Sequence, residues 1–236
     1  MKILTILLCL LAPAAHAQYT VTRYDYQVED YEQQAAPAQG TIAVTGNSNI
    51  RGWPSMQDAL KPLPVYNRGF GGSTIEELDY YLDRLILVNK PRAVVIHEGE
   101  NDFAIGYTPA RIASKHAEVI VRLHAQNKAM RVYVIGLKPS PRRESMWPTF
   151  QQTNTLLAEM CKQNQPCLYI PPPACLLDSS GKPIASLFKP DPDRLHLTPE
   201  AYLSCWNPSI APVIVKAEAD ALQTQPKPPT DVKVDL

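Results

Sequence analysis

The chain carries no net charge, with 23 Lys and Arg against 23 Asp and Glu, and it has no block of basic residues. This excludes the electrostatic footprint of a nucleic-acid partner. The apolar stretch at residues 3–11 is too short to span a bilayer, which excludes stable membrane insertion of the mature chain. Cysteine is scarce, five in 236 residues, and no spacing among them resembles a zinc site. No internal repeat appears. The run Gly69-Phe70-Gly71-Gly72 lacks the third glycine and the acidic partner that a dinucleotide-binding turn needs.

What is present suits one sizeable domain with a real core. Residues 1–17 read as an export signal: Lys2 supplies the positive start, an apolar core follows, and Ala15-His16-Ala17 is the small-x-small cleavage site. Cys9 lies inside that signal with no small residue before it, so it is not expected to carry lipid. The mature protein is expected to be periplasmic or secreted. Its four cysteines, Cys161, Cys167, Cys175 and Cys205, are an even number suited to an oxidising compartment. Four cysteines allow three pairings, among which sequence does not choose. The expectation adopted is Cys161 with Cys167, joining a helix end to the next strand, and Cys175 with Cys205.

Residues 18–40 are polar, carry Tyr19, Tyr24, Tyr26 and Tyr31, and read as an N-terminal extension packed on the domain surface. The tyrosines suit coverage of apolar surface or, alternatively, a ligand-binding aromatic patch. From residue 41 onward β-rich and helical patterns alternate. Strands are expected at 41–46, 65–68, 93–98, 131–137 and 168–170, and helices at 54–61, 75–88, 109–127, 145–164 and 199–222. Ala93-Val94-Val95-Ile96 is a continuous apolar run, as a strand covered on both faces should be. The pattern predicts a three-layer α/β/α sandwich over residues 41–222, with a mainly five-stranded parallel sheet of flavodoxin-like type. Proline is abundant, 23 residues, and the segment 223–236 is a polar, proline-rich tail expected to be disordered.

Residues able to carry chemistry fall at the expected strand ends. Ser48 lies in a turn after the first strand and before a helix opening at Pro54, where open α/β sheets present side chains to ligands. Alone it reads equally as a turn or cap residue. Gly72 follows the second strand, where a backbone N–H unobstructed by a Cβ can reach a developing oxyanion. Asn101, after the third, adds a neutral side-chain donor. His196 lies in a loop before the last helix, three residues after Asp193. A carboxylate at that spacing can accept the Nδ1 proton and leave Nε2 as base. Asp191 is a rival for Asp193. His97 reads as a hydrogen-bonded core residue, His116 and His124 as solvated helix residues. Arg51 and Lys138 are candidates for substrate recognition, with the plainer readings of a charge paired to an acidic neighbour and a solvated loop charge.

Four blocks carry a resemblance: Gly46-Asn47-Ser48-Asn49-Ile50-Arg51-Gly52-Trp53, Asn67-Arg68-Gly69-Phe70-Gly71-Gly72-Ser73-Thr74, Gly99-Glu100-Asn101-Asp102, and Asp193-Arg194-Leu195-His196-Leu197. In this order the chain resembles the SGNH hydrolases, the superfamily of GDSL esterases and lipases. Its nearest likeness is to exported members that also carry Lys-Pro-Ser-Pro, here Lys138-Pro139-Ser140-Pro141. The resemblance implies Ser48 as nucleophile, His196 as base, Asp193 rather than Asp191 as its orienting acid, and an oxyanion hole from Ser48, Gly72 and Asn101. It departs from the family at Asn47, where an Asp is usual, and at Asn49, often apolar or Ser. The first departure removes a charge near the nucleophile and leaves the triad intact.

The function expected is hydrolysis of small acyl esters such as acetyl groups, free or carbohydrate-borne, with no cofactor. No long apolar lid favours fatty substrates. Transfer of the acyl group to a sugar hydroxyl would use the same residues, and a non-catalytic carbohydrate- or envelope-binding module on a hydrolase scaffold is the reading from a different class.

Overall fold

In the computed structural model, which describes residues 20–223, five parallel strands form one sheet. They are β1 (Ile42–Gly46), β2 (Val65–Gly69), β3 (Ala93–His97), β4 (Arg131–Ile135) and β5 (Cys167–Ile170), in the order β2-β1-β3-β4-β5. The expected signal segment 1–17 and all but the first residue of the expected tail lie outside the described residues.

The helices are α1 (Asp25–Glu32), α2 (Ser48–Arg51), α3 (Met56–Ala59), α4 (Ile75–Leu85), α5 (Pro109–Gln126), α6 (Trp147–Gln163), α7 (Pro199–Ala201) and α8 (Asn207–Gln223). Successive strand residues point to opposite faces, and the core divides accordingly. Ala43, Val94, Ile96, Val132 and Val134 pack under α4, α5 and α6. Ile42, Val44, Val95 and Ile135 pack with residues of α2, α3 and α8. Each such fully buried aliphatic side chain contributes about 1.5–3 kcal/mol, so a strand shifted by one residue would lose both faces at once.

The chain order places the connections from β1 and β3 on opposite sides of the sheet, which opens a crevice beyond their C-terminal ends. The register brings these ends level: Gly46 pairs with Gly69 of β2 on one side and with His97 of β3 on the other. The three turns that follow therefore emerge side by side.

The structure corrects two of the expected elements and refines a third. The helix expected from Pro54 is two short pieces, and the first begins at Ser48 itself because the Asn47 side chain caps it, Oδ1 accepting from the Asn49 N–H at 3.0 Å. The helix expected over 199–222 is present without a gap, α7 passing through a π turn over Tyr202–Trp206 into α8, which carries Pro212. The extension holds a helix that its polar sequence does not announce. Val28 and Tyr24 of this segment dock among the residues under α4, with the Tyr24 ring edge-on to Phe70 at 5.3 Å.

Cys161–Cys167 links the end of α6 to β5, and Cys175–Cys205 fastens the loop after β5 to the π turn. The second closes a separation of 30 residues, which in the chain-entropy account is worth about 3–4 kcal/mol. His116 is fully buried on the inner face of α5, not solvated; its Nδ1 lies 2.9 Å from the Ile112 carbonyl, and burial lowers it to about 4, keeping it neutral. His124 is half-buried, with Nε2 3.1 Å from the Met130 carbonyl.

Candidate active site

Ser48, as first residue of α2, projects from the C-terminal end of β1. His196 reaches it from a tight loop in which the Lys189 N–H donates to the His196 carbonyl at 2.8 Å and the Arg194 N–H to the Lys189 carbonyl at 3.1 Å. Within this loop Asp193 folds back on the chain, its Oδ1 accepting from the N–H groups of Leu195 and His196 at 2.9 and 2.8 Å. Its Oδ2 is 2.8 Å from His196 Nδ1, and His196 Nε2 is 2.8 Å from Ser48 Oγ. Partial burial pushes the Asp193 carboxyl up, but the bonds from the His196 N–H, the His196 ring and the Leu195 N–H outweigh this and bring it down to about 2. The carboxylate is thus ionised wherever the imidazole works. Asp191 instead points outward, 84% exposed, with Arg194 Nε 3.7 Å away.

Gly72 lies in the turn after β2 with φ +82, a conformation that favours glycine, and a Cβ there would meet the Tyr24 hydroxyl at 2.8 Å. The extension braces this turn: Arg23 Nη2 donates to the Gly72 carbonyl at 3.0 Å and Tyr31 Oη to the Gly69 carbonyl at 2.6 Å. Burial raises the Tyr24 phenol to about 12 against the pull of Arg23, so it stays a neutral hydroxyl. The backbone N–H groups of Ser48 and Gly72 have no acceptor among the described residues. Asn101 joins them from the end of β3, its Nδ2 donating to the Ser73 carbonyl at 2.9 Å while Arg143 Nη2 donates to its Oδ1 at 2.9 Å. The arginine fixes which end of the amide faces the turn and leaves the second Nδ2 hydrogen for a ligand.

Beneath these groups lies a buried polar layer. Asn49 Nδ2 donates to Asn47 Oδ1 at 3.0 Å and to Glu100 Oε2 at 3.2 Å. His97 is the expected core histidine, with Nδ1 3.2 Å from the Ile135 carbonyl and Nε2 3.3 Å from Glu100 Oε1. Both departures at Asn47 and Asn49 thus belong to a network that ties α2 to β3. Lys138 overturns both readings offered for it. It is fully buried, neither solvated nor open to substrate, with Nζ 3.8 Å from Glu100 Oε2 and donating to the Leu195 carbonyl at 2.9 Å. Burial alone would raise Glu100, but Lys138 and then His97 hold it well below the usual carboxylate range.

Arg51 is exposed at the rim and pairs with no acidic neighbour among the described residues. It lines, with Ser48, His196, Pro54, Leu197 and Tyr202, a cavity of about 410 Å³. Sequence reasoning missed Arg143, Glu100 and the Arg23–Tyr24 brace. Glu100 and Arg143 stand within recognisable blocks or beside the Lys-Pro-Ser-Pro run, which was the available signal.

A family model described as GDSL-like lipase/acylhydrolase matches residues 29–203. No curated protein matches the chain. Among solved structures, the fold is similar to that of a GDSL-like lipase from Bacteroides thetaiotaomicron, with 20% identity, TM-score 0.65, and coverage of 84% of this chain and 100% of that one. It is also similar to a catalytic mutant of an acetylxylan esterase from Geobacillus stearothermophilus, at 13% identity and TM-score 0.54, covering 77% of this chain and 95% of the other. At these identities the likeness shows the fold.

Proposed function

We infer, from a chain that belongs to the GDSL-like lipase/acylhydrolase family and is therefore an ester hydrolase, that Ser48, His196 and Asp193 are its catalytic triad. The observation that carries this is the unbroken line of contacts from Asp193 Oδ2 through the imidazole to Ser48 Oγ, 2.8 Å at each step. Ser48 Oγ attacks the ester carbonyl carbon as His196 Nε2 takes its proton, and Asp193 holds the Nδ1–H and stabilises the imidazolium. The carbonyl oxygen, now negative, rests on the N–H groups of Ser48 and Gly72 and on Asn101 Nδ2. Collapse breaks the ester C–O bond, and His196 returns the proton to the departing alcohol. Water, deprotonated by the same imidazole, then releases the acid and restores Ser48.

The substrates proposed are esters of small acyl groups, acetyl in particular, carried on carbohydrate. The exposed Arg51 and Lys189 in the lining of the cavity beside Ser48 support a hydrophilic alcohol, and the acetylxylan esterase fold-neighbour is compatible with it. Export, with the mature domain starting near residue 18 and ending near residue 222, is supported by the signal-like residues 1–17 and the two disulfides. Among the described residues no helix is long and apolar enough to cross a membrane.

The test is labelling with a fluorophosphonate, read by intact mass. One adduct on the natural protein, lost in Ser48→Ala and His196→Ala, is expected. No adduct on folded protein overturns the triad.

A further inference from the structure

Arg51 lines two cavities, the one beside Ser48 and a second of about 620 Å³ along the edge strand β2 toward the extension. Among the described residues no Asp or Glu lines either cavity, although acids and bases are equal in number over the whole chain. Three cations do line them. Lys189 and Arg51 are exposed and make no side-chain hydrogen bond or ion pair among the described residues. Arg68, in the second cavity, lies 4.9 Å over the rings of both Tyr31 and Tyr66 and donates only to Gln34 Oε1 and the Asn67 carbonyl. Asp193 is spent on His196 and lines neither cavity. Of the cations elsewhere, Arg84 meets Asp25 and Glu32 and Lys115 meets Asp79 and Glu118, whereas Lys90 and Lys128 stand exposed without an ion pair among the described residues but line neither cavity.

The position of Arg51 is set by Gly71. A Cβ on Gly71 would stand 3.1 Å from Arg51 Nη1 and 4.0 Å from Ser48 Cβ, so the guanidinium and the nucleophile flank the same glycine. The cavity that holds Ser48 and Arg51 is also lined by His196, which protonates the leaving oxygen, and by neither Gly72 nor Asn101, which hold the acyl oxygen. It is therefore the alcohol side of the ester that enters it.

We propose that this groove binds the alcohol half of the substrate as an acidic oligosaccharide, its carboxylates facing Lys189 and Arg51, while Arg68, only 5% exposed, adds positive charge from beneath the second cavity. The proposal rests on the esterase reading and adds a charge to its substrate. The amides of Gln34 and Gln57 along the second cavity suit a hydroxyl-rich chain rather than a fatty one. Unpaired cations with no competing carboxylate attract an anionic chain and raise its local concentration, an effect that salt screens.

The test compares acetate release from a chemically O-acetylated polyuronate and an O-acetylated xylan of equal acetyl content. Alongside, binding of the unacetylated polyuronate is measured by titration calorimetry. Faster release from the polyuronate is expected, by about five- to tenfold in kcat/KM at low salt for two surface charge contacts. The ratio should fall toward one at high salt and in the double variant R51Q/K189Q, and should invert in R51E/K189E. Equal or faster release from xylan by the natural protein overturns the charge preference and leaves the esterase standing. Release from neither polymer, with polyuronate bound and that binding lost in R51Q/K189Q, overturns the esterase reading and supports the groove. Neither release nor binding overturns both.

Discussion

Lys138 Nζ and the Leu195 carbonyl are 2.9 Å apart, joining the segment after β4 to the residue that precedes His196. The same ammonium faces Glu100, itself bonded to Asn49 of α2. One buried cation therefore holds the serine-bearing helix and the histidine-bearing loop to a common anchor. Replacing it with Met should destabilise the fold by about 3–5 kcal/mol, because Glu100 is left buried without its main partner. The folded fraction should also lose kcat by more than KM changes. Urea unfolding and steady-state kinetics on an acetyl ester check the two effects separately, and a fully stable Lys138→Met would contradict the anchor.

Asn101 is held by Arg143, and the two should differ in what they cost. Asn101→Ala removes a proposed oxyanion donor and should lower kcat by about a hundredfold or more, the equivalent of roughly 2.7–4 kcal/mol. Arg143→Ala leaves the amide in place but free to turn, so its loss of kcat should be smaller, about tenfold by the cost of one misplaced donor. Kinetics on one ester with all three proteins suffices; equal loss in both variants would mean that Arg143 acts by more than orienting the amide.

Asp193→Asn should cut kcat by about ten-thousandfold by leaving the imidazole in the wrong tautomer. Asp191→Asn touches an exposed carboxylate with only Arg194 near it, and activity should stay within about twofold. The reverse ranking would displace Asp193 from the triad.

Asp102 is fully buried, with Oδ1 accepting from the Ile75 N–H at 3.0 Å and Oδ2 without a hydrogen-bond partner among the described residues. Burial pushes its carboxyl up from 3.8 to about 7, against the bond from Ile75. Between those values the folded state keeps a proton that the unfolded chain has released. Stability should therefore fall as pH rises through that window, by at most about 1.4 kcal/mol per unit, and level off above it. Asp102→Asn removes the titration. Relative to the natural protein it should gain more stability at about pH 8 than at about pH 4, as measured by urea unfolding at each pH. An equal effect at both would show that Asp102 ionises normally.

Much of this architecture is readable in the chain itself. All five strands lie within two residues of where the apolar runs place them at either end, because a strand covered on both faces must be apolar along its length. The three-residue spacing of Asp193 and His196 is local, so one loop suffices to bring carboxylate and imidazole together. The α1 helix was not readable, since few apolar residues (Tyr24, Val28 and Tyr31) anchor it, the rest of its ties are polar, and no apolar period marks it. The π turn inside the last helix was hidden within a continuous helical pattern.

The sequence by itself determined the sheet, the order of the blocks and the residue types at the strand ends, because hydrophobic period and short-range spacing act within a few residues. Only the tertiary structure decided which charges are spent and which are left over. Lys138 and Arg51 both follow strand ends on the same edge of the sheet, yet one is sealed against Glu100 and the other stands free beside Ser48. The cost of burying a charge depends on the partners that packing brings to it, and those partners come from segments far apart in the chain.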